Sequence, residues 1–407
     1  MSESVSDIVI VGGGLVGATL ACALAGTKGG PSVTLIERYP IDLSGLAQYR
    51  RDFDARSTAL TLSSVEAFQQ IACWDRIALH AARIGHIHVS DRGRFGSTLM
   101  DASEENLSAL GYVVENHWLG ATLSEALQRC ANLRILAPMQ AVAVRYQPDR
   151  VTVTVEHQGQ SQTIDAKLLV VADGAGSPLA RSIGIDVARH EYGQSAVIAN
   201  IGHQKAHDGV AYERFSDHGP MAMLPLIDAD GSPRSALVWV REAAEADRLE
   251  ALSTQLFLRE LQRSFGYRLG RFERLGGRQQ YPLALVRSAE QVRRRTVVLG
   301  NAAHSLHPVA GQGFNLSVRD AMALVASIKE ARTRGMDIGS LEMLEPFYAE
   351  RLRDQTRTIL ASDLLPKIFG SRSLPVIGGR GAGLVMLQLL TPARSGFVQY
   401  ATGLGGR

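Results

Sequence analysis

The stretch Gly12-Gly13-Gly14-Leu15-Val16-Gly17 decides the fold of this chain of 407 residues. It follows an apolar run at 5–11, which predicts a buried parallel strand, and opens an Ala-rich segment at 15–24, which predicts a tightly packed helix. A second apolar run, at 33–37, ends on Glu37. Together these segments form a strand–helix–strand unit of about 30 residues, which predicts a Rossmann-like α/β domain.

Each glycine of this G-x-G-x-x-G pattern has a physical role in binding a dinucleotide. Gly12 makes the turn, Gly14 lets backbone N–H groups approach a pyrophosphate, and Gly17 lets the helix pack closely on the strand. The helix N-terminus adds positive potential, and Glu37 is placed to accept hydrogen bonds from an adenosine ribose. The pattern alone does not distinguish NAD from FAD, and a tight turn in an unrelated protein is the alternative.

Two later segments also follow buried apolar runs. Asp173-Gly174 comes after the run at 168–172, and Gly300-Asn301 comes after the run at 296–300. The second segment continues to Gly311-Gln312-Gly313, which opens a helix and can present free backbone N–H groups to developing negative charge. Pro308, with the apolar residues after it, predicts a stiff wall that excludes water.

These three segments, in this order and spacing, resemble the class A flavoprotein monooxygenases, which are FAD-dependent aromatic hydroxylases with a p-hydroxybenzoate-hydroxylase-like fold. The resemblance covers roughly residues 5–360 and implies FAD as the cofactor, with NAD(P)H as a transient reductant. It assigns the flavin-ring environment to Pro308, Gly311, Gln312 and Gly313, and it names no catalytic residue. It implies these cofactor-binding residues: Gly12, Gly14, Gly17, Glu37, Arg56, Asn116, Asp173, Gly174, Asn301, Gly311, Gly313 and Asn315.

Asn301 stands where most of this family has Asp. With Asn at this position, the chain resembles the branch of the family that acts in ubiquinone biosynthesis. The resemblance is greatest to the 2-polyprenyl-6-methoxyphenol hydroxylases. It implies hydroxylation of a polyprenylated phenol to the 1,4-benzoquinol, using O2 and a flavin C4a-hydroperoxide. Three alternatives stay open: a sister hydroxylase acting at another ring position, a non-catalytic FAD-fold protein that binds prenyl chains, and an FAD reductase of prenyl double bonds.

The order of patterns predicts a discontinuous nucleotide domain. We assign 1–75, 105–180 and 280–363 to the FAD-binding domain, because the three buried strands can share one parallel sheet. The β-rich stretches 76–104 and 181–279 are predicted to form an antiparallel-sheet substrate domain. Residues 364–407 are predicted to form a helical tail. Its apolar clusters fit core packing or a subunit contact, and alternatively a flap for a prenyl tail or a membrane surface.

Composition excludes several classes of function. A net charge of +3 without a basic cluster argues against nucleic-acid binding. Three separated cysteines without a CxxC pair argue against disulfides or a zinc site, and the histidine pairs 203/207 and 304/307 lack further metal ligands. The short acidic start does not resemble a signal peptide, and no stretch has the roughly 18 apolar residues of a membrane span. We therefore expect a cytoplasmic protein, with peripheral contact to the inner face of the membrane or to a multi-enzyme complex.

Overall fold

The computed structural model describes residues 4–42, 53, 56–229, 231–307, 311–371 and 373–405. Among them the strands are β1 Ser4–Val11, β2 Val33–Ile36, β3 Ser57–Leu60, β4 Ala81–Ile84, β5 His86–Asp91, β6 Ser97–Asp101, β7 Gly111–Glu115, β8 Leu133–Leu136, β9 Gln140–Tyr146, β10 Val151–His157, β11 Gln160–Val171, β12 Val187–His203, β13 Val210–Phe215, β14 Met221–Ala229, β15 Ser232–Glu242, β16 Phe272–Leu275, β17 Gln279–Ser288, β18 Val292–Arg293, β19 Thr296–Val298 and β20 His304–Ser305.

The α-helices of the same residues are α1 Leu15–Ala25, α2 Leu62–Gln70, α3 Trp74–Ala78, α4 Asn116–Gln128, α5 Pro178–Ser182, α6 Ala243–Ala251, α7 Thr254–Phe265, α8 Gln312–Thr333, α9 Leu341–Gly370, α10 Leu374–Leu389 and α11 Thr391–Ala401. Short 3-10 turns occur at Ser103–Glu105 and Gly300–Ala302.

The first sheet carries the predicted nucleotide motifs. Its parallel part has the order β19-β11-β1-β2-β8, with β18 antiparallel at one edge and the β9-β10 pair joined antiparallel to β11. Alternate residues of β1 face opposite layers: Ile8 and Ile10 pack with α1 and α8, whereas Val9 and Val11 pack toward β10 and α5. Burial on both faces explains why the central strands read as continuous apolar runs.

A second sheet has the order β20-β17-β12-β15-β14-β13-β5-β6, with β16 also paired to β12. Its pairings are antiparallel except for β13 with β5, which run parallel. A small third sheet, β3-β7-β4, is antiparallel throughout. Mixed α/β architecture with a helical C-terminal region is therefore confirmed. The predicted domain boundaries stay a prediction, although β17 and β20 hydrogen-bond within the second sheet.

Two local expectations from the sequence are wrong. The apolar runs at 133–136, 141–146 and 151–155 favour a meander of short strands, but β8 pairs parallel with β2 and, of the three, only β9 and β10 form an antiparallel pair. The reason is that β8 emerges from α4, which crosses over the sheet and returns the chain parallel to β2. The amphipathic spacing at 121–131 predicts a helix that starts after Asn116, but α4 begins at Asn116 itself.

Candidate active site

Four of the predicted segments follow the carboxyl ends of adjacent parallel strands. Gly12 follows β1, Glu37 follows β2, Asp173 follows β11, and the Gly300–Ala302 turn follows β19. Because β19, β11, β1 and β2 are neighbours in the sheet, these segments meet at one edge. In open α/β sheets ligands bind at this edge, in the crevice outside the strand ends.

In the Gly-rich turn, a side chain would clash with the backbone at two of the glycines but would meet open space at the third. Gly12 has φ 110°, and a Cβ there would lie 2.3 Å from the carbonyl oxygen of Ala172. A Cβ on Gly17 would lie 1.9 Å from the carbonyl oxygen of Gly12. Gly14 caps α1, and a Cβ there would meet nothing within 4 Å. The open side of the turn therefore faces space at the N-terminus of a helix, where a pyrophosphate is stabilised.

The Glu37 carboxylate is oriented by hydrogen bonds from the backbone of the Gly-rich turn and of its own loop. Its Oε2 accepts a hydrogen bond from the backbone N–H of Gly13 at 2.6 Å, and its Oε1 accepts one from the N–H of Tyr39 at 3.0 Å. Each carboxylate oxygen has a second lone pair, so the group is oriented and still able to accept from a ribose hydroxyl.

Arg56 and Asn116 come together beside the small third sheet. The backbone N–H of Asn116 donates to the carbonyl oxygen of Arg56 at 2.7 Å. The Asn116 Oδ1 accepts from the hydroxyl of Thr58 at 2.6 Å, which leaves its amide hydrogens for another partner. The Arg56 guanidinium donates to the Tyr281 hydroxyl at 3.0 Å, so this arginine bridges the third sheet and β17.

One carboxylate oxygen of Asp173 has no hydrogen-bond partner among the residues that the structure describes. Its Oδ2 accepts a weak hydrogen bond from the N–H of Leu179 at 3.4 Å, whereas its buried Oδ1 is the unpaired one. Burial raises the pKa of Asp173 above its ordinary value, although a hydrogen bond from Ser177 opposes this. Gly174 next to it has φ 90° and open space around its α-carbon. An unsatisfied carboxylate oxygen beside an open glycine suits a ligand hydroxyl.

The predicted flavin-ring segment is built around the N-terminus of α8. Gly311 has φ 59°, and Gly313 has open space at the position of a Cβ. Gln312 is buried, and its Nε2 donates to the carbonyl oxygen of Ala401 at 3.4 Å. Pro308 and the two residues after it lie outside the described residues. The start of α8 therefore has open space at Gly313, and the contact of Gly311 to Gly313 with a flavin ring stays a prediction.

Asn315 has its hydrogen-bonding capacity used inside the protein. Its Nδ2 donates to the carbonyl oxygens of Ala59 and Gly311, each at 2.8 Å. Its Oδ1 accepts from the backbone N–H of Thr61 at 2.9 Å and from the hydroxyl of Ser64 at 2.7 Å. Asn315 thus positions the Gly311 turn against β3 and α2, and its direct contact with FAD stays a prediction.

A buried network of charged and polar side chains lies beneath the 3-10 turn that carries Asn301. The ring of His304 lies 2.7 Å from one oxygen of Asp320, and the Arg351 Nε donates to the other oxygen at 2.7 Å. Burial pushes the pKa of Asp320 upward, but His304 and Arg351 outweigh it and hold that pKa below its ordinary value. Sequence reasoning missed Asp320 and Arg351, because nothing in their spacing shows that they meet beneath the 3-10 turn that carries Asn301.

The other histidine pair considered for a metal, His203 and His207, lies within hydrogen-bond distance of protein groups. The two ring nitrogens of His203 lie 2.8 Å from the carbonyl oxygen of Lys205 and 2.9 Å from the hydroxyl of Ser235. The Nε2 of His207 lies 2.9 Å from the carbonyl oxygen of Leu226. These rings therefore tie together loops and strands of the second sheet.

An apolar cavity of about 660 Å³ opens beside the Gly311 segment. Asn301, which is exposed, lines it together with Gly311 to Gly313. From there the cavity runs over β4, β5, β6, β13 and β14 to the ends of α9, α10 and α11. Its few titratable side chains are Glu213, His307, Arg380 and Tyr400. A cavity of this size and character fits one small apolar ligand held beside a cofactor.

His307 is a neutral group at the junction of segment and cavity. It is buried, and its ring packs edge-on against Tyr192 with centroids 5.4 Å apart. Within the described part of the chain, neither ring nitrogen has a hydrogen-bond partner. Burial lowers the pKa of His307 to about 4, despite an opposing effect from Asp363. The imidazole is therefore uncharged at neutral pH.

The residues fit FAD. The open turn at Gly14 would take the pyrophosphate, Glu37 a ribose, the free oxygen of Asp173 a further hydroxyl, and Gly311 to Gly313 the flavin ring. These individual contacts stay predictions. The fold and the site together define a flavoprotein with a large apolar substrate cavity.

A family model described as "FAD binding domain" matches residues 5–354. The chain belongs to this family, and it is an FAD-dependent monooxygenase. Ubiquinone hydroxylase UbiL of Rhodospirillum rubrum is 34% identical over 99% of this chain and 90% of its own length. The 3-demethoxyubiquinol 3-hydroxylase of Escherichia coli K12 is 30% identical over 99% and 100%. Human ubiquinone biosynthesis monooxygenase COQ6 is 27% identical over 98% and 93%.

Solved structures show the same fold. The p-nitrophenol 4-monooxygenase PnpA of Pseudomonas putida DLL-E4 superposes with a TM-score of 0.78 at 18% identity, covering all of both chains. The probable FAD-dependent monooxygenase pqsL of Pseudomonas aeruginosa superposes with a TM-score of 0.75 at 20% identity, over 94% of this chain and 100% of its own.

Proposed function

We propose that this enzyme hydroxylates the aromatic ring of a polyprenylated phenol in ubiquinone biosynthesis. The observation that carries the proposal is the apolar cavity, which joins the flavin segment at Gly311 to a floor of β-sheet side chains and a roof of C-terminal helices. Three relatives that match nearly the whole chain have names that place them in ubiquinone biosynthesis or hydroxylation. We take 2-polyprenyl-6-methoxyphenol as the substrate and the corresponding 1,4-benzoquinol as the product.

The division of labour follows from the residues. When bound and reduced by NAD(P)H, FAD would activate dioxygen, so that one oxygen atom enters the ring and the other leaves as water. The backbone N–H groups at Gly311 to Gly313 stabilise negative charge on the cofactor, since they point from a helix N-terminus. The apolar wall of Ile87, Leu224 and Phe369 binds the substrate and excludes water from the reacting atoms.

A second candidate is hydroxylation at another position of the same ring. One relative, 30% identical over its full length, is named a 3-hydroxylase of demethoxyubiquinol. We further propose that the protein works in the cytoplasm at the inner face of the membrane, where a polyprenylated substrate resides.

The test measures the products of the purified enzyme with FAD, NAD(P)H and short-chain prenylphenols. Oxygen uptake coupled to a hydroxylated product supports the proposal, and mass spectrometry of the product identifies the ring carbon. Deletion of the gene should cause 2-polyprenyl-6-methoxyphenol to accumulate. Accumulation of a demethoxy quinone would transfer the assignment to the second candidate. Oxidation of NAD(P)H without product from any phenol would contradict both.

A further inference from the structure

The helix pair α10–α11 lies directly on the hairpin β5-β6. The Gln388 Oε1 accepts hydrogen bonds from the backbone N–H of Leu99 at 2.8 Å and from the hydroxyl of Thr98 at 3.2 Å. A Cβ on Gly381 would lie 2.8 Å from the carbonyl oxygen of Phe95, so helix and hairpin tip are in close backbone contact. Residues of α10 and of this hairpin therefore share one face of the molecule.

That face carries a group of exposed apolar side chains, which we call the C-terminal apolar surface: Phe95, Leu99, Met386, Leu389 and Leu390. Phe95 is 85% exposed, Leu389 73% and Met386 54%. Single exposed apolar residues are ordinary, but several large ones on two elements that pack together favour an interaction site.

Charge is absent from the outer side of the helix pair. Residues 374–401 contain no Asp or Glu, and their two basic residues are Arg380 and Arg394. The Arg380 side chain is 1% exposed and donates to Asp91 of β5 at 2.8 Å. The Arg394 side chain is 12% exposed and lies 3.0 Å from Glu104. Both cations are thus turned inward onto carboxylates, which leaves the outward side apolar.

The inner side of the same helices lines the cavity. Gly383, Leu384 and Leu387 of α10 and Phe397 and Tyr400 of α11 contribute to its wall. One pair of helices therefore separates the substrate cavity from the C-terminal apolar surface, with apolar side chains on both sides. A polyprenyl chain could pass between the two regions along these apolar side chains, since Arg380, which also lines the cavity, is paired with Asp91.

The helix pair is suited to lie on a bilayer. In the described part of the chain, no single helix has the length and apolarity to span a membrane. Residues Pro375–Leu389 and Thr391–Ala401 meet that criterion only together, as a pair bent by 97°. Spanning would separate Arg380 from Asp91 and place the guanidinium in lipid without its partner, which is strongly unfavourable. An interfacial position keeps this ion pair and covers the exposed leucines.

We propose that the C-terminal apolar surface docks on the lipid bilayer, and that α10–α11 forms the boundary through which the prenyl tail reaches the cavity. The second half of this inference rests on the proposed function, whereas the docking itself does not. Because the outer side has no free charge, docking is driven by apolar burial and is insensitive to salt.

The test is flotation of the FAD-loaded protein with vesicles of phosphatidylethanolamine and phosphatidylglycerol. Wild type should float with the vesicles at both about 0.1 M and about 1 M salt. Met386→Glu/Leu389→Glu should lower the vesicle-bound to free ratio at least about tenfold, since two buried apolar contacts become charges. The matched control Leu79→Glu/Leu256→Glu replaces two other exposed leucines and should bind as wild type does.

Hydrogen exchange provides a second measurement, in which vesicles should protect peptides covering 95–99 and 384–390 in wild type and in the control variant, but not in Met386→Glu/Leu389→Glu. Absence of wild-type binding, its loss at high salt, or equal binding by Met386→Glu/Leu389→Glu would overturn the proposal. So would a wild type that forms dimers and binds no vesicles, if these substitutions make it monomeric.

Turnover of a tail-free phenol should be the same in all variants, because neither Met386 nor Leu389 lines the cavity. Vesicle binding without turnover of any phenol would contradict the proposed function and leave the docking intact.

Discussion

The side-chain amide of Asn315 donates to the carbonyl oxygen of Gly311 at 2.8 Å, one turn back along α8. Its second amide hydrogen goes to Ala59, so one side chain joins the flavin segment to β3, more than 250 residues earlier in the chain. Gly311 has φ 59°, a conformation that L side chains rarely adopt, and Asn315 holds that turn in place. The shape of the segment therefore depends on a residue whose own atoms are used within the protein.

Substituting Asn315 with Ala should weaken both folding and cofactor binding. The change leaves the backbone N–H of Thr61 and the hydroxyl of Ser64 without their acceptor, so the free energy of unfolding should fall by about 3 kcal/mol. FAD affinity, measured by quenching of flavin fluorescence, should fall about tenfold or more because the Gly311 turn loosens. Ser317→Ala on the same helix removes one local bond and is the control. An apoprotein of wild-type stability that cannot bind FAD would instead indicate that Asn315 contacts the cofactor.

Two glycines of the Gly-rich turn should respond oppositely to the same substitution. Gly17→Ala forces a methyl group into the carbonyl oxygen of Gly12, so the apoprotein should lose about 3 kcal/mol of stability. Gly14→Ala meets open space, and its apoprotein should unfold at a wild-type urea concentration. Its FAD affinity should nevertheless fall about tenfold or more, because the methyl group occupies the approach of the pyrophosphate. Tight FAD binding by Gly14→Ala would place the pyrophosphate elsewhere.

Asp173 should contribute to FAD binding at the expense of apoprotein stability. Burial raises its pKa, so the stability linked to this group is fully present below its unfolded pKa and is lost as pH rises through the folded value. At pH 7 the carboxylate therefore opposes folding, and Asp173→Ala should leave the unfolding free energy unchanged or higher. FAD affinity should fall about tenfold, because the unpaired Oδ1 is removed. The exposed Asp149 gives a control, since Asp149→Ala should change neither quantity. A less stable Asp173→Ala apoprotein would contradict this prediction.

His307 should make the protein less stable in mild acid. Burial lowers its pKa from 6.5 to about 4. Between these two pH values the unfolded chain therefore binds a proton at His307, whereas the folded protein does not. The stability linked to this histidine is fully present above pH 6.5 and is lost as pH falls toward about 4, an effect of roughly 3 kcal/mol in total. His307→Asn should flatten the dependence of the unfolding free energy on pH over this window. Urea unfolding at pH 7 and pH 5 measures it, and parallel curves for the two proteins would show that the ring is not buried.

The agreement between sequence and structure is closest where a function depends on a short stretch of chain. Helix α1 begins at its predicted first residue and extends one residue beyond its predicted end. The Gly-rich turn is similarly local, because steric limits on φ and on backbone approach act over a few residues. The position of β8 could not be predicted in this way, since its partner β2 is about 100 residues away. The backbone hydrogen bonds of β8 could have been made equally well with the edge strand of another sheet.

By itself, the sequence determined the dinucleotide turn and the α/β class, because these follow from glycine geometry and from apolar runs that must be buried on both faces. FAD as the cofactor came from the resemblance carried by Asp173-Gly174 and the segment from Gly300 to Asn315. Only the tertiary structure decided what surrounds the flavin segment. Arg380 reaches Asp91 across 289 residues, and Gln312 reaches Ala401 across 89. Such contacts depend on how layers pack rather than on spacing along the chain. The apolar cavity, the histidine at its edge and the uncharged outer side of α10–α11 all arise from that packing.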